Sequence, residues 1–296
     1  MKTYIAFSSA YDDNAPYDSG QGRIAGGINA SITEHPYLVA LESNSRLVCG
    51  GSIISQNLIL TAAHCLINRN PSHVAVRYGS TDRERGGTVV PAKQFFVHSD
   101  FDTQTTQHDI ALIELEEPII FSRSARPVQI IKQHVDLLAG TKCIVSGWGM
   151  LNTYGPMADR LQSVRVPLWN MAACGKAYPA VYLGEGKLCA GSAGKDSCQA
   201  DSGGPLVCHG KLVGLVSFGQ DCGDPRHPGV YTSVLHYLDW VEMAKSPERR
   251  QRERFRWIGS ANHNYNSGKN DASKIDPKLV LSLVMLFAFK LQQRFV

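Results

Sequence analysis

Asp196-Ser197-Cys198-Gln199-Ala200-Asp201-Ser202-Gly203-Gly204-Pro205 is the stretch on which the reading of this chain turns. Ser202 stands directly before two glycines and a proline, just after Cys198. Glycine takes positive φ without a Cβ penalty and lets a ligand approach the backbone closely. A serine on such a bend presents its hydroxyl outward, with adjacent backbone N–H groups free to hold a developing negative charge. The same string also suits an ordinary turn. Its meaning depends on whether a base and an orienting acid lie elsewhere.

Two further strings supply them. Thr61 to Cys65 reads TAAHC and carries His64; His108 to Leu115 reads HDIALIEL and sets Asp109 ahead of an apolar strand. In the order His, Asp, Ser, the three strings resemble the trypsin-like serine proteases of the chymotrypsin fold, over roughly Ile24 to Lys245. The resemblance implies an all-β body of two packed six-stranded antiparallel β-barrels with a C-terminal helix. His64 and Asp109 would come from the first barrel and Ser202 from the second, meeting in the cleft between them.

The residues are of the types this chemistry needs. A serine hydroxyl is a weak nucleophile at neutral pH and requires a base within hydrogen-bond reach. An imidazole can take its proton and return it to the leaving amine. In the family the aspartate fixes the imidazole tautomer and stabilises its charged form. The resemblance makes His64 the base, Asp109 the orienting acid, Ser202 the nucleophile, and the N–H groups of Ala200 and Ser202 the oxyanion donors. The family has glycine where this chain has Ala200. A Cβ there costs about 1–2 kcal/mol if φ must be positive, and a flipped peptide would cost a donor worth roughly 10²–10³ in rate.

The same comparison places Asp196 at the base of a primary pocket that takes Arg or Lys, with Ser197 beside it. Gly219 and Gly229 keep its walls open, and Asp221 lies near its rim. Ser217-Phe218-Gly219 resembles the edge on which a peptide lies as an added strand. Pro228 matches members without a sodium site. The loop from Ser80 to Thr88 offers only Asp82 and Glu84, too few oxygens for calcium. No metal and no cofactor is expected.

At 296 residues the chain can bury a substantial core, and 19% charged with 43% hydrophobic residues is a globular composition. Its formal charge of +4 is unevenly placed. Residues 246–296 hold ten Lys/Arg against four Asp/Glu, so residues 1–245 are slightly acidic and carry no footprint for nucleic acid. Eight cysteines point to an oxidising compartment. Spacing alone allows on the order of a hundred pairings; the resemblance selects Cys49 with Cys65, Cys143 with Cys208, Cys174 with Cys189, and Cys198 with Cys222. Without any C-x-x-C pair, zinc is a poor competing explanation.

Short runs rich in Val, Ile and Leu recur with Gly, Pro, Asn and Asp in most gaps, as in an all-β body. They are Tyr37–Leu41, Gly51–Leu60, Val74–Tyr78, Thr88–Val97, Ile110–Leu115, Lys142–Trp148, Leu206–Cys208 and Lys211–Phe218. Tyr231 to Met243 has helical spacing at Val234, Leu235, Leu238 and Val241. It resembles the family's closing helix.

Residues 1–23 read as a pro-segment whose start has the look of a signal peptide cut short. Arg23-Ile24-Ala25-Gly26-Gly27 resembles an activation site: cutting after Arg23 would free the Ile24 amino group to pair with Asp201. Upstream of Arg23 there is no cysteine to tether a released segment. Asn29-Ala30-Ser31 is the one glycosylation sequon. After Lys245 the chain is basic, with five arginines in 249–256, then polar, then apolar from Leu279 to Phe289. That last run is too short for a spanning helix of about twenty residues and reads as an extension outside the fold, with a lipid-anchor signal as the alternative. The whole is read as a secreted endopeptidase, made as a zymogen, with protein or peptide substrates and protein inhibitors as partners. The alternative is a non-catalytic homologue acting as an adaptor.

Overall fold

The computed structural model describes residues 26–133, 137–246 and 248. The expected pro-segment 1–23, with Arg23 at its end, and Ile24 after it lie outside the described residues, as does the apolar C-terminal run.

After a two-residue strand β1 (Ile28–Asn29), the next six strands close a barrel. They are β2 (Leu38–Ser43), β3 (Arg46–Ile53), β4 (Leu58–Thr61), β5 (Val74–Tyr78), β6 (Thr88–Val97) and β7 (Ala111–Leu115). Their order round the barrel is β2-β3-β4-β7-β6-β5, with every ladder antiparallel. The period of two is plain in β5, where Val74, Val76 and Tyr78 are buried between less buried Ala75 and Arg77. Arg77 reaches across to Glu42 on β2, Nε to Oε1 at 2.5 Å. Asn44 and Ser45, with φ of 51° and 62°, turn β2 into β3 as a two-residue hairpin requires. Val39, Leu41, Ile53, Ile59, Val76 and Ile113 fill the interior. The apolar run Gly51–Leu60 is two strands, because Ser55, Gln56 and Asn57 break it between β3 and β4.

The second half departs from expectation. It contains β8 (Gln129–Ile130), β9 (Lys142–Gly147), β10 (Gln162–Pro167), helix α1 (Met171–Ala177), β11 (Lys187–Ala190), β12 (Pro205–Cys208), β13 (Lys211–Phe218) and β14 (Gly229–Ser233). With β1 these strands form an open eight-stranded sheet, ordered β1-β10-β9-β12-β13-β14-β11, with β8 parallel to β13. The expected pair of six-stranded barrels is therefore corrected to one closed barrel and one open sheet. The cause is visible at the outer strands. The free edge of β10 is occupied at Gln162 and Ser163 by β1. At its other end stands Pro167, which has no N–H to give to a ladder. Among the described residues only one bridge, Leu168 with Ala190, connects that end to the β11 edge, so the sheet stops short of closure.

The C-terminal helix α2 spans Leu238–Lys245, not Tyr231 to Met243. Val230, Tyr231 and Thr232 are β-branched or aromatic and lie in β14, all of whose residues are buried. From Asp239 onward the chain forms a separate unit. Within it Lys245 pairs with Glu242 at 2.8 Å. Four disulfides join Cys49 to Cys65, Cys143 to Cys208, Cys174 to Cys189 and Cys198 to Cys222, leaving no free cysteine.

Leu41 is fully buried in the barrel core. Leu41→Ala is expected to cost about 2–5 kcal/mol. Urea denaturation would show it as a lowered midpoint at unchanged slope. A loss too small to move the midpoint would mean that this core position is misassigned.

Candidate active site

Asp109 ends the loop that enters β7, at the seam between barrel and sheet, and it is wholly buried. Its Oδ1 accepts the His64 backbone N–H at 2.9 Å and its Oδ2 faces His64 Nδ1 at 2.8 Å. His64 sits on the short 3-10 turn Ala63–Cys65 that follows β4. From the other half, Ser217 on β13 donates its hydroxyl to Asp109 Oδ2 at 2.6 Å, and Thr232 on β14 donates to the Asp109 carbonyl at 2.9 Å. Burial works against ionisation of this carboxyl. The His64 bond and charge, Lys187 and the Ser217 hydroxyl more than offset it, and the net effect holds Asp109 below the usual carboxylate range.

The loop between β11 and β12 carries Ser202. Its carbonyl accepts Gly50 N–H at 2.8 Å, which ties the loop to β3. The Cys65 sulfur lies 3.6 Å from that carbonyl oxygen and 3.8 Å from His64 Nε2, so one atom touches both the Ser202 backbone and the imidazole. Among the described residues, no hydrogen bond links the Ser202 hydroxyl to His64; such bonds are often long before substrate binds. Gly203 has φ of 74°, and a Cβ there would overlap Thr61 Oγ1. Only glycine fits. Ala200 has φ of 71°, so this alanine carries the left-handed conformation in place of glycine. Neither the Ala200 nor the Ser202 N–H has an internal acceptor among the described residues. The Cys49 and Cys65 sulfurs beside His64 are joined to each other and are not thiolate ligands for a metal.

Ser202 stands on one cavity with Asp196, Ser197, Ser217, Gly219 and Gly229. Its volume of about 170 Å³ is well below the roughly 300–1,000 Å³ of sites that engulf a whole small molecule. It is the size for one side chain. Asp196 is buried and accepts Ser197 N–H at 2.8 Å, with Gly223 N–H at 3.4 Å. The Ser197 hydroxyl lies 3.2 Å from the Tyr231 hydroxyl. A Cβ at Gly229 would overlap Asp196 Oδ1. Burial pushes the Asp196 carboxyl up to about 7 against these backbone bonds. Asp221 is exposed where it lines the cavity, and Phe218 stacks edge-on against Tyr178 at 5.7 Å.

Asp201 is also fully enclosed. It accepts Gly149 N–H at 2.8 Å and Cys198 N–H at 3.0 Å, and no cation pairs with it among the described residues. Burial raises its carboxyl to about 7. Its expected partner, Ile24, lies outside the described residues, as does Arg23. Three residues of this region were not singled out from the sequence: Thr232, Tyr231 and Lys187. All three lie on β11 or β14, which the run of Val, Ile and Leu did not mark. A lysine followed by Leu-Cys-Ala was the available signal for Lys187.

The sequence model of the family described as Trypsin matches residues 24–241. A vitellin-degrading protease of Bombyx mori is 38% identical over 226 residues, covering 75% of this chain and 86% of that protein. Trypsin epsilon of Drosophila erecta is 39% identical over 224 residues, covering 75% and 87%. Among solved structures, neuropsin, a serine protease expressed in the limbic system of mouse brain, superposes with a TM-score of 0.70 at 33% identity, covering 75% of this chain and 99% of its own.

Two outcomes follow from the backbone and the buried carboxylate. Ala200→Gly, which relieves the left-handed alanine, is expected to stabilise the protein by about 1 kcal/mol in urea denaturation; a destabilised variant would show that the alanine is unstrained. Because Asp196 is protonated well above the ordinary carboxylate range, a small amidinium such as benzamidine should bind poorly at pH 5. Its affinity is expected to rise by up to about tenfold per pH unit and level off above about pH 7. Calorimetry would read this, and Asp196→Asn should flatten the curve. A wild-type curve as flat as the variant's would contradict the assignment.

Proposed function

We propose that this chain, which belongs to the trypsin family of serine endopeptidases, hydrolyses protein and peptide substrates after Arg or Lys through an acyl-enzyme. The observation that carries the reading is a buried carboxylate, Asp196, lining the same side-chain-sized cavity as Ser202. A substrate guanidinium or ammonium entering that cavity gives Asp196 the counter-charge that burial makes it lack. The scissile carbonyl is then held beside Ser202, whose position on the cavity is fixed by the Gly50 bond.

In the proposed reaction the Ser202 oxygen attacks the carbonyl carbon as His64 Nε2 takes its proton. Asp109, already bonded to Nδ1, stabilises the imidazolium. The unpaired N–H groups of Ala200 and Ser202 are the donors for the oxyanion. His64 then protonates the amine as the C–N bond breaks, leaving an ester on Ser202. Water repeats the sequence, with its proton passing to His64 and back to Ser202 as the acid leaves. Ser217-Phe218-Gly219, at the end of β13, would carry the substrate backbone as an added strand. The Ser217 hydroxyl itself is turned to Asp109.

The enzyme is proposed to be made as a zymogen. Asp201 is buried without a cation among the described residues, and an amino group freed at Ile24 would supply one. Four disulfides support an extracellular, secreted location; no helix among the described residues is long and apolar enough to cross a membrane. Protein inhibitors that present a basic side chain to the cavity are the expected partners besides substrates.

The test is a panel of peptide amides that differ only in the residue before the scissile bond, run before and after controlled cleavage behind Arg23. Turnover is expected only after cleavage and only for Arg and Lys. Asp196→Ser should lower that turnover by roughly 1,000-fold while an organophosphate still labels Ser202 stoichiometrically. Equal turnover of arginyl and leucyl amides would sink the specificity, and full activity of the uncleaved chain would sink the zymogen.

A further inference from the structure

Lys187 lies on β11 with its side chain inside the protein, only 3% exposed. A lysine so deeply buried needs partners, and it has three oxygens: Thr106 carbonyl at 2.6 Å, Ser217 Oγ at 3.0 Å and Thr232 Oγ1 at 3.5 Å. An ammonium only donates, so its N–H occupies a lone pair of the Ser217 oxygen. The Ser217 proton is then left to point at Asp109 Oδ2, and the Thr232 proton at the Asp109 carbonyl. Both hydroxyls that hold Asp109 from the sheet side are therefore oriented by one ammonium. Its third contact grips Thr106, a β-branched residue at φ of 55° three positions before Asp109. Such a residue in the left-handed region is strained and persists only where its surroundings fix it.

We propose that Lys187 is a positioning residue for the reaction, aiming the Ser217 and Thr232 hydroxyls at Asp109 and setting, through its charge, how readily the Asp109–His64 pair takes up a proton. The inference rests on the function proposed above. Burial pulls the Lys187 ammonium down to about 8, and the Asp109 carboxylate opposes that fall, so the charge is present at neutral pH. The lysine in turn helps keep Asp109 ionised. Other groups around it are few. Phe218 presents its ring 5.5 Å from the ammonium. On the Asp109 side, Tyr237 bonds His108 at 3.1 Å and His98 stacks on His108 at 4.8 Å. Asp109 raises the Tyr237 hydroxyl, whose larger push comes from burial. Of these neighbours Lys187 alone donates to Ser217.

A positive charge beside Asp109 opposes formation of the His64 imidazolium. Removing it should therefore move the acid limb of the kcat/KM–pH profile to higher pH, by about half to one unit. Lys187→Met and Lys187→Gln are both expected to show this on an arginyl amide after cleavage behind Arg23; glutamine keeps a donor for Ser217 without the charge. The second arm needs no turnover. In the Ser202→Ala protein, the low-field resonance of the proton between His64 Nδ1 and Asp109 is followed against pH, and its midpoint should move the same way in both variants. An acid limb or a resonance midpoint that superimposes on the Lys187 protein overturns the proposal. Should the Lys187 enzyme itself fail to hydrolyse the amide, the proposed function falls, and the resonance still decides the role of Lys187.

Discussion

The buried carboxylate of Asp109 is the constraint on which the rest of this structure depends. An ionised carboxyl without partners in a protein interior costs several kcal/mol, and it is tolerated only when its oxygens are fully engaged. Asp109 meets that demand with donors from both halves: the His64 backbone and ring from the barrel, the Ser217 and Thr232 hydroxyls from the open sheet. Neither half can satisfy it alone. Docking of the two sheets is thus coupled to orientation of the imidazole, and the site is assembled by the same bonds that make the seam stable.

Two other buried carboxylates show how neighbours divide one residue type into different roles. Asp109 is held ionised, whereas burial raises Asp196 and Asp201 to about 7, and the neutral N–H and hydroxyl donors around them oppose that rise less than a charged partner would. Space around them is kept by glycine. A Cβ at Gly147 or Gly149 would overlap the Asp201 carboxylate, and one at Gly229 would overlap Asp196. Under the proposed function each of these acids waits for a cation from elsewhere, Asp196 for a substrate side chain and Asp201 for a new amino terminus. Their discomfort in the resting protein is what makes those events favourable.

Much of the site was legible because its residues lie in strings whose chemistry is local. The glycines behind Ser202, the apolar strand after Asp109 and the cysteine after His64 are sequence-adjacent features. The architecture of the second half was harder. The helical spacing of Val234, Leu235, Leu238 and Val241 drew Tyr231 to Ser233 into the expected helix, whereas these residues lie in β14, buried on both faces. Closure of the sheet turned on the absent N–H of Pro167 and the capture of the β10 edge by β1, neither of which a pattern of apolar residues expresses. Lys187 was missed for a related reason. A lysine in a sequence reads as solvent-facing, and its burial is decided by three oxygens that arrive from Thr106, Ser217 and Thr232, all distant along the chain.

Ala200 shows where the strain of such a site is stored. Its left-handed backbone would suit glycine, yet the conformation is kept. The loop around it is over-determined: Cys198 is bonded to Cys222, Asp201 gathers the Gly149 and Cys198 N–H groups, and the Ser202 carbonyl is held by Gly50. With so many restraints, a Cβ costing about 1–2 kcal/mol is absorbed as lost stability and does not relax into a different turn. Among the described residues the N–H groups of Ala200 and Ser202 stay without acceptors, which is the property the proposed oxyanion role requires of them. Burden on the fold and readiness of the donors are, at this position, the same physical fact.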